Sequence, residues 1–315
     1  MSVARRCWES DREVLVIALS CSRWIPVLVF TVACLLPTPA TAHPGSGIVV
    51  DRLGQVYFVD MVSGVWKLAA HGALTHIPGP AFHWMTLDAG DRFGAVQLPS
   101  GSGWEIARIG AHPTLLLASD FPLAMGRDGN VYYPTQGGGT PLQIVKLLPS
   151  GKTSILASLP TTTARGPLRY LNGLAAGPDG SLYYTEDDAI RRISREGRVS
   201  TIAEKLTLAG CTAIPGIAAK DRPLLRGLAI DASGTIYVAA TGCGSVFKVT
   251  PAGHVTVLPR LPGTWAPTGV ALFGRDLYVL EFQHADSDDR REMLPRVRKI
   301  APDGKTVIIA TVTRH

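Results

Sequence analysis

Residues Gly227–Ala240 read GLAIDASGTIYVAA, and Ser245–Leu258 continue as SVFKVTPAGHVTVL. Four short apolar stretches are packed into this segment, with Gly turns between them. Each stretch is too brief for a helix, and no 3.6-residue periodicity runs through the segment, so it reads as four short strands.

The same pattern recurs along the chain. It opens with a small residue and an apolar run, passes a Gly turn, and ends an apolar run on a polar residue. The clearest copies are GIVVDRLGQVYFVD from Gly47, PLAMGRDGNVYYPT from Pro122, GLAAGPDGSLYYTE from Gly173 and GVALFGRDLYVLE from Gly269. A more degenerate copy, WMTLDAGDRFGAVQ, spans Trp84–Gln97. Counting the Gly227 copy, six units start at 47, 84, 122, 173, 227 and 269, so their spacings run from 37 to 54 residues. Four strands in that length make one blade, and a closed ring of blades leaves only short protected edges. The fold class predicted is all-β: a six-bladed β-propeller with four antiparallel strands per blade, occupying residues 43–315.

These units resemble the NHL repeat and the blades of the SMP-30/gluconolactonase superfamily over roughly residues 45–312. The resemblance rests on Gly227–Ala240 and on the Asn-Gly-Leu…Pro-Asp-Gly…Tyr-Tyr run at Asn172–Tyr184. The connector Leu208–Leu225 (LAGCTAIPGIAAKDRPLL) is similar to the one that precedes many NHL blades. The resemblance specifies architecture more than activity, because such propellers host unrelated functions.

Composition agrees with the fold. The 315 residues are 46% hydrophobic and 18% charged, with 33 Gly and 23 Pro. That excludes a disordered chain and favours many turns. The formal net charge is +6, but the cations are scattered, and the denser run Arg290–Arg291 with Arg296, Arg298 and Lys299 is mixed with Asp286, Asp288, Asp289 and Glu292. Without a basic stripe or basic–aromatic cluster, nucleic acid is not an expected partner.

Residues 1–42 stand apart. Arg5, Arg6, Arg12 and Arg23 precede the apolar run Trp24–Leu36, and Pro39-Ala40-Thr41-Ala42 ends in small residues. This is the pattern of an export signal cleaved after Ala42, which places the propeller in a secreted or periplasmic setting. Val14–Leu36 read as one span is instead an uncleaved membrane anchor, the one membrane contact expected. Cys7, Cys21 and Cys34 lie in this leader, leaving Cys211 and Cys243.

Strand order places side chains on the ring. If each inner strand starts at the upper face, the second strand ends there, so both positions gather at one channel mouth. The inner-strand entries are Ser46, His83, Phe121, Asn172, Arg226 and Thr268, and the second-strand ends are Asp60, Gln97, Thr135, Glu186, Ala240 and Glu281. Asp60, His83, Asn172, Glu186, Arg226 and Glu281 are therefore the candidate ligand or metal residues. Each acid has an alternative reading as an ordinary turn former. Cys211 enters the fifth blade and Cys243 lies in its second-to-third-strand turn, so both reach the upper face and are expected to pair. The long segment Phe282–Leu294 also rises from this face, a candidate lid with His284 or an Arg able to reach a ligand.

The superfamily resemblance implies a divalent cation such as calcium at the mouth, held by carboxylates and an Asn. Asn172 matches that Asn. Ser46 stands where the family places a ligand Glu, and Arg226 where it places an Asp that serves as ligand and base. An Arg there repels a cation and favours an anion or carboxylate partner.

Other chemistries find little support. His83 is alone on the ring, with His71, His76, His112 and His254 on outer strands or turns, so no spaced pair suggests zinc. Gly151-Lys152-Thr153 lacks the upstream Gly of a phosphate loop, Asp286–Asp289 lacks the central Gly of a calcium loop, and no Ser-centred nucleophile elbow occurs. Two functions remain. One is a binding propeller that recognises a small molecule, glycan or protein through its upper face. The other is a metal-dependent hydrolase or lyase with a rearranged mouth.

Overall fold

The computed structural model describes residues 44–62, 64–97, 105–110, 113–119, 121–135, 142–159, 171–211, 213–214, 222–260, 262–284 and 289–314. The leader read at 1–42 lies outside them, as does His112. The described residues form six four-stranded antiparallel sheets. Their inner strands are Ile48–Val50, Trp84–Asp88, Ala124–Met125, Gly173–Ala176, Leu225–Ile230 and Trp265–Phe273. Each inner strand touches the next in that order, and Trp265–Phe273 meets Ile48–Val50 to close the ring. The six-bladed propeller predicted from the repeat is the fold observed.

Burial explains the strand sequences. The second strands VYFV (Val56–Val59), VYYP (Val131–Pro134) and LYYT (Leu182–Thr185) are buried at every position. They lie between neighbouring blades, where a continuous apolar run is required. Outer strands such as Val199–Ala203 are half-buried or exposed at every position. The first hydrophobic cluster joins Phe58, Met61, Leu117, Phe282 and Val312, so the core lies between blades and includes the chain's last residues.

The inner-to-second-strand turns carry a recurring ionic clasp. Asp128 accepts from the Tyr132 hydroxyl at 2.7 Å and faces Lys146 Nζ at 2.8 Å. Asp179 pairs with Arg192 at 2.6 Å, and Asp276 with Lys299 at 2.7 Å. The turn acid is thus tied to the third strand of its own blade.

One strand assignment is corrected. Trp84–Gln97 was expected to supply the inner and second strands of the second blade. The sheet instead runs from Trp84–Asp88 to Thr114–Ala118, then Glu105–Ile109, with Val96–Gln97 outermost. The wholly buried run TLLLA takes the place between blades, and the two-residue VQ goes to the edge. Asp88 reverses the chain after the inner strand, accepting from the amides of Arg92 at 2.6 Å and Phe93 at 2.7 Å. Ala118, not Gln97, is therefore the second-strand end at the upper face.

Hydrogen bonds stitch the inner ring. Thr185 Oγ1 donates to Arg226 O at 2.7 Å, Thr241 Oγ1 to Pro267 O at 2.7 Å and Thr268 Oγ1 to Gly45 O at 2.6 Å. The amides of Ser46 and Gly47 share His83 O, and Met125 N donates to Thr86 Oγ1. The repeat's glycine has its cause here. A Cβ on Gly173 would stand 2.5 Å from Arg226 O, and one on Gly269 would strike the Ser46 carbonyl. Neighbouring blades approach too closely for any side chain.

Candidate functional site

Three inner-strand entries and one aromatic residue converge on the upper mouth. Ser46 is buried, with 7% exposure, and Arg226 is half-buried. Arg226 Nη1 donates to Pro44 O at 3.4 Å, which brings the fifth blade's guanidinium to the backbone that leads into the first. Asn172 O accepts from Trp84 Nε1 at 3.3 Å, so the second blade's indole reaches the fourth blade. Trp84 occupies the repeat position that Gly47, Gly173, Gly227 and Gly269 hold in other blades.

Around this group lies a charge relay. Asn172 Nδ2 donates to Asp187 Oδ1 at 3.2 Å, and Arg222 Nη1 to Asp187 Oδ2 at 2.8 Å. Desolvation pulls the Arg226 guanidinium down from its ordinary value to about 10, while the Asp187 carboxylate pulls it back up. It remains a cation at neutral pH. Among these three charged groups, two guanidiniums face one carboxylate.

The remaining acids are held elsewhere. Asp60, 2% exposed, accepts from Val62 N and Trp66 Nε1, both at 2.8 Å, and pairs with Arg314. Glu281, also 2% exposed, pairs with Arg296 at 2.6 Å and Arg298 at 2.9 Å. Glu186 pairs with Arg191 at 3.1 Å. His83 sits edge-on to Trp84, and its carbonyl holds the first blade. The predicted residues thus divide: Asn172 and Arg226 face one place, while Asp60, Glu186 and Glu281 are held in ion pairs with Arg314, Arg191 and the pair Arg296 and Arg298.

Asp187, Arg222 and Trp84 were not singled out from sequence. Asp187 follows the strand end by two residues, and Arg222 arrives through a long connector that no local pattern places. Trp84 had a signal, since it breaks the repeat's glycine.

That connector is fastened. Cys211 and Cys243 form the predicted disulfide, with Cα atoms 5.6 Å apart. Gly242 N donates to Pro223 O, next to Arg222. In the segment Phe282–Leu294, His284 N donates to Thr264 O, and Arg314 Nη1 donates to Arg291 O at 2.7 Å. Residues 285–288 lie outside the described residues.

A divalent cation does not fit this mouth. Where it would bind, the structure offers an amide turned to Asp187, a serine hydroxyl and a guanidinium. Among the described residues no three of His, Cys, Asp or Glu group as a metal cage.

Residues 124–282 match the family model described as the SMP-30/Gluconolactonase/LRE-like region. The chain belongs to this family. None of the curated proteins compared matches it in sequence. Virginiamycin B lyase from Staphylococcus aureus aligns with TM-score 0.51 and 16% identity, over 86% of this chain and 85% of that one. Regucalcin from Agrobacterium tumefaciens, a calcium-binding protein, gives 0.51 and 18%, over 78% and 84%. A Xanthomonas campestris gluconolactonase gives 0.51 and 15%, over 76% and 83%. At these identities the likeness is one of fold.

Proposed function

We propose that this family member is an exported, ligand-binding propeller that takes a small molecule at its upper mouth. The observation that carries the reading is the donor set there: Arg226, which reaches the backbone beside Ser46, and Asn172, whose amide is already bonded to Asp187. Such a set presents hydrogen-bond donors and a cation to a visitor, and its carboxylate, Asp187, is already held by Asn172 and Arg222. The disulfide Cys211–Cys243 and the leader at 1–42 support export, since such bonds persist in oxidising compartments. Glycan or protein ligands are the alternatives to a small molecule, and nucleic acid is not expected.

The second reading, a metal-dependent hydrolase or lyase, draws on Glu186, Asp187 and Asp188, three successive acids beside Asn172. Elemental analysis of purified protein, paired with a small-molecule screen by thermal shift, separates the two. Ligand-dependent stabilisation without stoichiometric metal is expected. One tightly held divalent ion per chain overturns the binding reading in favour of the enzyme.

A further inference from the structure

Two polar atoms at the mouth are buried without a hydrogen-bond partner among the described residues: Arg226 Nε and Ser46 Oγ. Such atoms are rare in folded proteins, and each asks what normally satisfies it. Two in one place ask more sharply.

They do share one place. A Cβ on Gly227, the residue after Arg226, would stand 3.4 Å from Ser46 Cβ. Arg226 also reaches the carbonyl of Pro44, two residues before Ser46. The fixed backbone of the inner ring holds both residues, since Thr185 Oγ1 donates to Arg226 O and the Ser46 amide donates to His83 O.

We propose that Arg226 and Ser46 anchor the carboxylate of a small monoanionic ligand, with the Trp84 indole beside it as an apolar wall. This deepens the binding reading and rests on it. The chemistry follows from the donors. A guanidinium presents paired N–H groups matched to the two oxygens of a carboxylate. A serine hydroxyl adds one more donor. Among the described residues the acid that acts on Arg226 is Asp187, and it is already bonded to Arg222 and Asn172. One positive charge in excess suits a monoanion better than a phosphate dianion. In this account the arginine supplies, as part of the chain, the positive charge that a bound cation would otherwise provide.

Benzoate and its neutral isostere benzamide test this directly, with inorganic phosphate as the third arm, titrated calorimetrically into purified protein in low-chloride buffer. Benzoate should bind at least about tenfold more tightly than benzamide, a difference of about 1.4 kcal/mol. Arg226→Gln should bring benzoate down to the benzamide level, Arg226→Lys should retain part of the preference, and Ser46→Ala should weaken benzoate severalfold. Thermal melts of each variant establish that it is folded, and Arg226→Lys keeps the test alive if the Gln variant is not. Equal binding of benzoate and benzamide, both lost in Trp84→Ala, overturns the carboxylate anchor and leaves the mouth as a neutral-ligand site. Benzoate binding unchanged in Arg226→Gln, or tighter binding of phosphate, also overturns it. If neither compound binds and the wider screen yields nothing, the two polar atoms are satisfied by water, and both this inference and the binding reading fall.

Discussion

Arg298 Nε lies 2.9 Å from Glu281 Oε1, and neither side chain is more than 2% exposed. Arg296 Nε donates to the other oxygen at 2.6 Å while its guanidinium stacks 4.1 Å from the Trp265 ring. Arg298 Nη1 donates to Pro259 O in the preceding blade. Glu281 is therefore the one anion of a buried triad that joins the last two blades. Removing one member strands charge in a dry place, whereas replacing all members with apolar groups often does not destabilise. Glu281→Gln should lower stability by about 3–5 kcal/mol, read from urea unfolding. The triple replacement Glu281→Leu, Arg296→Met, Arg298→Met should recover most of that loss. A Glu281→Gln variant as stable as the parent contradicts this account.

The Asp128 clasp predicts an acid-sensitive component of stability. Although burial raises its pKa, the hydrogen bonds from Lys146, Tyr132 and Asn130 outweigh that and hold the carboxyl well below the usual range. A folded-state pKa below the unfolded value stabilises the fold above the unfolded pKa, near 3.9, and that stabilisation fades as pH falls below it. Asp128→Asn should flatten the acid limb of the stability profile measured between about pH 5 and pH 2. An unchanged limb would show that the clasp carries no linkage.

Reduction of Cys211–Cys243 should be felt twice. The bond closes a separation of 32 residues, for which chain entropy gives about 3–4 kcal/mol of stability. It also fastens the connector that delivers Arg222 to Asp187. The double Cys→Ser variant should melt lower and bind the mouth ligand more weakly, whereas a purely entropic bond would change melting alone. Thiol titration of native protein should find no free thiol at 211 or 243.

Gly269→Ala tests the closeness of the ring. Its new methyl would meet the Ser46 carbonyl, and overpacking of this kind costs about 1–3 kcal/mol. Because Ser46 is part of the proposed anchor, the same change should also weaken benzoate. A neutral substitution would mean that the sixth and first blades have room between them.

The sequence made the fold readable because the blades repeat the same local physics: a turn acid, a buried second strand and, in four of the six, a close-approach glycine. It failed at the second blade, where TLLLA and VQ exchange places and only packing against neighbours decides which is central. At the mouth, Asn172 and Arg226 were legible because inner-strand entries have one place to go. Asp60 and Glu281 were harder. Their direction depends on cations far along the chain, Arg314 for one, or directly across the strand pair, Arg296 for the other. Arg222 was invisible because a connector, not a periodic element, carries it.

The closing seam has its own consequence. Every blade is built from strands of one contiguous stretch, so the first and last blades share no strand. Among the described residues they are joined by side-chain and packing contacts: Thr268 on Gly45, Arg314 on Asp60, and Val312 in the cluster with Phe58. The place where the chain begins is then an accident of connectivity, not a requirement of the ring. A circularly permuted gene that links residue 314 to residue 44 and opens the chain at the exposed Gly151 turn should yield the same six-bladed ring.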